Sequence, residues 1–563
     1  MSSEIRLGQL IAPFGPGSIY TDKNGVPTVI CGLDYWYKKE DAEGLLTKSH
    51  LAIKNAIIVE PRLADFLKIS YFLQPPVNFY DKNKPEISGL KIQGHRFPCW
   101  YVNNATGQLK RFNLESSRIE KPDQGAWKPV RFIAVCQSGH MRDFPWKSWS
   151  GCTCNNDIGL ILNDSGGADL SSIRVRCKNC NQGKSLSGAT NINRNEQTST
   201  IEGTGLSNMG IECTGARPWL GNGATHSHCE SPLAAVLINQ SNIYFPKTIS
   251  SIFLPDLSGD AEVVRIHEAF NAGDNSNMAS ARLAFELDNL DIFYASLKLI
   301  LKDLFDKMPS DEKIKQAYEA YGQGRTSGST SEKPEFPDSE LLAFRREEFN
   351  ILRNEVSKGV STELRIIPAK ISNSLQTFFS KINLVERLRE TRGFYGFERL
   401  ERSDNPIDGM PDTAMEQLFL ESPESKWLPA VKNYGEGIFI ELSENAISKW
   451  ISTNREWLCK RYDVTFTNRM SNELLLLPPS ANIDWKWAAR YQMVHTLSNI
   501  LINQLVFECG YSSAALKERL FVSSDSQAPM AAILIYTTSG DSEGSLGGLV
   551  RQGRTKLFES MLR

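Results

Sequence analysis

Six cysteines between residues 152 and 229 constrain this chain more than any other feature of its sequence. They fall as Cys152-Thr153-Cys154, Cys177-Lys178-Asn179-Cys180, Cys213 and Cys229. A C-x-C followed after 22 residues by a C-x-x-C can set four thiolates around one ion. Zinc suits such a site, because it accepts tetrahedral sulfur ligation without redox chemistry. Just upstream, Cys136-Gln137-Ser138-Gly139-His140 offers a thiolate and an imidazole across a Gly-containing turn. With Cys213 and Cys229, these two side chains can complete a second four-ligand set.

A disulfide framework is the competing reading, and it needs an oxidising compartment. Met1-Ser2-Ser3-Glu4-Ile5-Arg6 has no basic stretch followed by an apolar one, so no secretory signal is expected and a cytoplasmic location is. C-x-x-C is also a redox motif. Here, however, it follows the strand-like Arg174-Val175-Arg176 and precedes a turn at Asn181-Gln182-Gly183, the setting of a zinc knuckle more than of an activated thiol at a helix start. Cys31, Cys99, Cys459 and Cys509 are scattered and read as core residues.

At 563 residues the chain exceeds what one core can organise, and three or four folding units are expected. A net charge of −2 without a long block of one sign argues against a tail-driven nucleic-acid binder, while leaving room for a local basic groove. The longest apolar segment, Ala488 to Cys509, is interrupted by Arg490, Gln492, His495, Asn499 and Asn503, and reads as a helix of a soluble protein rather than a membrane span.

The expected fold class is mixed α+β and multidomain. A β-rich N-terminal domain covers 1–135, with turn signals at Gly15-Pro16-Gly17 and Asn24-Gly25. The cysteine-rich zinc-binding region covers 136–250, and its polar stretch Asn181 to Gly210 reads as a long exposed loop. A helical region follows over 251–375, with a linker near 322–338 and helices over 281–305, 339–357 and 372–391. An α/β C-terminal domain covers 376–563. It contains helices 484–508 and 512–519, a buried strand from Met530 to Tyr536, and a Gly544–Gly548 turn before a terminal helix.

No G-x-x-x-x-G-K-[ST] or H-E-x-x-H occurs in the sequence, which argues against an autonomous ATPase or zinc protease. Gly544-Ser545-Leu546-Gly547-Gly548 has two readings, a phosphate cradle or a tight turn, and the turn is preferred. His495 with Glu518, Arg519, Asp541 and Ser545 can be drawn into an acid–base site, although a histidine on an apolar helix is more often a bonded core residue. The run from Arg387 to Arg399 interleaves Arg387, Arg389, Arg392 and Arg399 with Phe394, Tyr395 and Phe397. It suits phosphate contact and base stacking, or, given its glutamates, a salt-bridged surface. Phe144-Pro145-Trp146-Lys147-Ser148-Trp149, beside the cysteines, reads as packing.

Taken in order, several patches resemble DrmB, a component of the bacterial DISARM anti-phage defence system. They are Arg6-Leu7-Gly8-Gln9, Phe14-Gly15-Pro16-Gly17-Ser18, Gly32-Leu33-Asp34-Tyr35-Trp36, Cys136 to His140, Asp143 to Trp146, Val175 to Cys180, Cys213 to Gly221 and Ser241 to Pro246. Arg387 to Glu390, Gly396 to Arg399, His495 to Ser498, Gly510-Tyr511 and Leu516 to Arg519 complete the set. The C-terminal portion is similar to an uncharacterised domain also attached to Mrf-type DNA helicases. The resemblance implies a hetero-complex with DrmA, a superfamily 2 helicase-like ATPase, and engagement of DNA by the pair, with ATP hydrolysis in the partner. It also makes Cys154 the better family match of its pair, leaving the fourth ligand beside Cys154, Cys177 and Cys180 between Cys152 and Cys136. Glu398 stands where the family has Thr. The leading expectation is therefore a non-catalytic, zinc-containing, DNA-binding helicase partner. A nuclease or phosphodiesterase working through the C-terminal domain, or a pure assembly scaffold, are the alternatives.

Overall fold

The computed structural model describes residues 5–40, 46–76, 90–113, 126–155, 159–195, 201–221, 224–225, 229–255, 261–272, 275–287, 289–302, 305, 307–322, 340–357, 360–401, 410–421, 423, 426–467, 484–510, 515–525, 527–539 and 548–562. Most of the expected linker, and the Gly544–Gly548 turn up to Gly547, lie outside the described residues.

Two long antiparallel strands, Phe379–Glu398 and Trp427–Leu442, run side by side and collect the rest of an eight-stranded sheet around them. One end of this ladder takes Phe245–Ile252 beside the first strand and Tyr71–Leu73, in parallel, beside the second. The other end takes Arg365–Pro368, Met530–Ser539 and, outside that, Leu516–Ser523. All four expected sequence regions thus contribute strands to one sheet.

Both faces of the C-terminal end are covered, which explains the unbroken apolar run at Met530 to Tyr536. Side chains alternate across a strand. Ala531, Ile533 and Ile535 pack with Trp487, Val494, Leu501 and Leu505 of helix Trp485–Cys509. Met530, Ala532, Leu534 and Tyr536 pack on the opposite face with Phe349 and Leu352 of helix Glu340–Leu352. The long helix starts where Asp484 Oδ1 accepts from the backbone N–H of Trp487 at 2.8 Å, and it stops at Gly510, whose φ of 69° suits glycine. No helix among the described residues is long and apolar enough to cross a membrane.

Three elements depart from the expectations. Residues 379–391 form strand rather than helix. Phe379, Ile382, Val385 and Leu388 mimic helical spacing because the strand has register irregularities between Phe379 and Lys381 and between Val385 and Leu388, which shift the phase of a two-residue repeat. The segment from Leu516 is strand too: Leu516 and Val522 enter one core and Phe521 the other, so packing on two faces overrides local helix propensity. Within 181–210, short strands Gly183–Ser185, Ile192–Arg194 and Ile201–Thr204 replace the expected exposed loop, and Leu186, Ala189 and Leu206 are fully buried. The central helices separate as well. Ala261–Ala272, Asn275–Glu286, Leu290–Leu301 and Asp311–Gly322 share their own core around Ile266, Phe293, Leu297 and Ile314.

Buried charge is concentrated on the sheet. Glu348, 0% exposed, accepts from Arg519 at 2.7 Å, from Arg345 at 2.9 Å and from the backbone N–H of Ile252 at 3.1 Å. Burial alone would raise its pKa; Arg519, Arg345 and Arg62 outweigh that and lower it to about 2. Because the folded value lies below the ordinary 4.5, this carboxylate contributes stability above pH 4.5 and loses it as pH falls toward 2. Acid titration followed by circular dichroism is expected to show a loss on the order of 3 kcal/mol across that window. Glu348→Gln should flatten that part of the profile while lowering the thermal midpoint at neutral pH.

Arg399, 1% exposed, has no carboxylate partner among the described residues and instead donates to three carbonyls. Its Nε bonds Gly139 at 2.8 Å, Nη1 bonds Ile243 at 2.6 Å and Nη2 bonds Gly17 at 2.8 Å. Its guanidinium lies over the Phe397 ring at 4.6 Å. Arg399→Gln leaves at least one buried carbonyl unpaired and removes a filled volume, so a destabilisation of about 3–5 kcal/mol is expected by chemical denaturation.

Candidate metal centres

The eight candidate ligands resolve into two groups of four, within each of which the ligand atoms lie no more than 4.8 Å apart. Cys152, Cys154, Cys177 and Cys180 form the first. Cys136, His140, Cys213 and Cys229 form the second. Cys152 thus lies with Cys154, and Cys136 lies in the other group.

Local backbone chemistry builds each set. Helix Trp146–Ser150 ends at Gly151, whose φ of 73° turns the chain so that Cys152 and Cys154 follow at once. Strand Ile173–Cys177 delivers Cys177, and a tight turn carries Cys180 back: Cys177 N–H donates to the Gln182 carbonyl, and Asn181 N–H to the Cys177 carbonyl. Trp146 and Trp149 are buried behind these elements with Phe132 and Phe144, so the tryptophan-rich stretch packs. In the second group, strand Phe132–Val135 leads into Cys136 and strand Met141–Asp143 follows His140, making the two ligands the ends of one hairpin. Gly139, at φ 86°, lets that turn close.

The spacings fit a shared ion. Four sulfurs bonded to one metal at about 2.3 Å and tetrahedral angles sit about 3.8 Å apart. Cys154 and Cys177 sulfurs are 3.9 Å apart, Cys136 and Cys229 3.9 Å, and Cys136 and Cys213 3.6 Å. His140 Nδ1 lies 3.4 Å from the Cys136 sulfur and 3.7 Å from that of Cys213. None of these sulfurs is within disulfide bonding distance, and the cysteines are free thiols.

The proton affinities show the same crowding. The hydrogen bond with Cys136, then His140, lowers the Cys213 thiol to about 4 against the opposing effect of burial, while Cys136 is driven upward. The Cys180 backbone N–H, followed by that of Asn179, lowers Cys177 to about 7, whereas hydrogen bonds with Cys152 and Cys180 raise Cys154 to about 12. Sulfurs packed this closely contend for one negative charge, a conflict that a divalent cation removes by letting every thiol ionise.

The remaining candidates go elsewhere. Arg389, 1% exposed, pairs with Glu60 at 3.2 Å and Glu363 at 3.8 Å. Arg399 is the buried carbonyl donor described above. Arg392, half-buried, bonds Thr248 Oγ1, and Arg387 is exposed with its guanidinium 4.9 Å from the Tyr434 ring. His495 Nδ1 lies 3.2 Å from Glu518, and its ring stacks on Tyr491. Arg519 instead joins Glu348 in the core, and Asp541 and Ser545 lie outside the described residues, so of the five residues drawn into an acid–base site only His495 and Glu518 meet among those described.

Comparison with known proteins bears on most of the chain. Residues 6–245 match the model of a domain of unknown function, DUF8724, and this span holds both ligand groups. The DISARM protein DrmB of Bacillus paralicheniformis is 29% identical over 539 residues, covering 89% of this chain and 82% of the relative.

Two bound metal equivalents are expected by elemental analysis of the purified protein. Cys177→Ser and Cys213→Ser should each remove one, and the chelated protein should become protease-sensitive. Well-folded protein without metal would end this assignment.

Proposed function

From the premise that this chain is a DrmB-like protein, we propose that it works in DISARM anti-phage defence as a non-catalytic, zinc-stabilised subunit that helps a helicase-like ATPase partner, a DrmA-like chain, hold DNA. The carrying observation is the similarity to a DISARM protein along 89% of the chain. Zinc is the metal we assign, because S4 and S3N sets at tetrahedral spacings are what this ion prefers and what harder cations avoid. The two sets tie together strands of three to five residues, and the role we assign to them is structural.

The sequence has no Walker A motif, so nucleotide hydrolysis is assigned to the partner. DNA contact from the Arg387–Arg399 run falls to Arg387 and Arg392, whose guanidiniums are not committed to buried partners. Such contacts neutralise phosphates without reading sequence.

The chain freed of every partner is expected to hydrolyse no ATP, while the co-purified complex does so and binds DNA with an affinity that falls steeply with salt. Replacing Arg387 and Arg392 together with Gln should lower the salt slope on duplex DNA by up to about two units. Partner-free ATPase activity, or a complex without DNA affinity, would contradict the proposal.

A further inference from the structure

On the central sheet Arg389 and Arg519 pair with buried carboxylates, and Arg399 beside it donates to three carbonyls. A different arrangement occurs on the N-terminal side. Strand Trp127–Pro129 is the outer strand of a three-stranded sheet, pairing with Trp100–Asn103 so that Pro129 faces Tyr101. Beside it opens a cleft of roughly 350 Å3 whose lining includes Arg96, Lys128, Arg131, Trp127, Tyr101 and Asn24, with no carboxylate. Lys128 and Arg131 are exposed and Arg96 is half-buried. No ion pair among the described residues engages any of the three. Three cations around one small space repel each other, and an anion entering it relieves that cost.

The aromatic wall is fixed in place. Trp127 meets Phe112 edge-on at 5.3 Å, and Phe112 meets Tyr101 edge-on at 5.3 Å, so the half-buried indole is braced from behind. A braced ring beside several cations is the combination that single-stranded nucleic acid uses, bases stacking on the ring while phosphates follow the positive groove. The cleft is at the small end of ligand-sized spaces, which suits one nucleotide and excludes a duplex. A second cavity of roughly 700 Å3 shares Lys128, Pro129 and Arg131 with it and continues past Asn103 and Asn104, giving an extended chain somewhere to go.

We infer that this cleft is a contact site for single-stranded nucleic acid, with phosphates on Arg96, Lys128 and Arg131 and a base against Trp127. The inference rests on the DNA-contact reading above and adds to it a location and a strandedness.

The test measures binding of a short fluorescent oligothymidylate, with a blunt duplex of equal length as competitor, to the full chain and to its purified complex across a salt series. Combining Arg96→Gln, Lys128→Gln and Arg131→Gln should lower the single-strand salt slope by roughly two, at about 0.7 per contact. Trp127→Leu should weaken binding about ten-fold or more with the slope unchanged. A wild-type protein that binds DNA while the triple variant keeps both affinity and slope overturns the cleft and leaves the DNA-contact reading standing. Equal competition by the duplex overturns the strandedness. No DNA affinity in either form of the wild type ends both. Should the variants fold poorly, photocrosslinking of 5-iododeoxyuridine-containing DNA to the unsubstituted protein decides the matter. Adducts on the peptide holding Trp127 or Tyr101 support the site, and adducts confined to other peptides overturn it.

Discussion

The buried guanidinium of Arg399 is the contact on which the arrangement of this molecule depends. It carries a positive charge into the interior, where burial lowers its pKa to about 10, and it is held there by carbonyl dipoles rather than by a counter-ion. Those carbonyls come from Gly17, Gly139 and Ile243, three segments far apart in the chain. The packing around them is tight enough to dictate residue type. A Cβ on Gly17 would sit 2.6 Å from the Phe397 ring, and one on Gly15 would sit 2.6 Å from the Tyr244 hydroxyl. The patches at Phe14–Ser18, Cys136–His140, Cys213–Gly221 and Ser241–Pro246, separate in sequence, therefore meet at one point, with the Trp219 ring 5.3 Å from the same guanidinium.

The sheet that leads into Arg399 uses charge in its interior at three further places. Glu348 gathers Arg345 and Arg519 on one helix–sheet contact, and Glu390 receives Lys517 at 2.6 Å and the Tyr536 hydroxyl at 2.7 Å from strands farther along the sheet. Arg389 bonds Glu60 on the side where the N-terminal segment joins. Buried pairs of this kind add little net stability over apolar packing, yet breaking one leaves a charge without a partner. They act as register marks: Glu390, Lys517 and Tyr536 meet only if three strands lie in one alignment.

Much of this was legible in the sequence, and the exceptions have a common physical origin. The cysteine spacings announced metal-ligand sets because C-x-C and C-x-x-C are local and tolerate few other meanings. The company of Cys136 with His140, Cys213 and Cys229 was also drawn from the sequence; what stayed open was whether Cys136 or Cys152 completes the other set, which depends on the hairpin turn that places His140 beside Cys136. The long helix 485–509 and the strand at 530–539 were legible because periodicity, cap and stop signals agreed. The Arg387–Arg399 run was harder to place. Charge in sequence suggests surface, and nothing within the run shows that Glu60 and Glu363 wait for Arg389, or that three carbonyls wait for Arg399. The cleft at Trp127 went unnoticed for the converse reason. Arg96, Lys128 and Arg131 are ordinary isolated cations until sheet pairing gathers them around one space.

The two ligand sets are not equivalent in what they hold. Cys152, Cys154, Cys177 and Cys180 join a short helix to a small sheet, in a core shared with Trp100, Leu109 and Phe132. The other set closes the hairpin whose turn contains Gly139, and the Gly139 carbonyl is one of the three that Arg399 needs. Beside it, Gln137 donates to Glu401 at 2.6 Å, just beyond the end of the long strand. An ion drawing Cys136 and His140 together would therefore shape the turn that receives the buried guanidinium, and the cost of losing it would reach the central sheet. Loss of an ion from the first set would relax the helix–sheet knuckle, whereas loss from the second would loosen the junction between the N-terminal segments and the long strand.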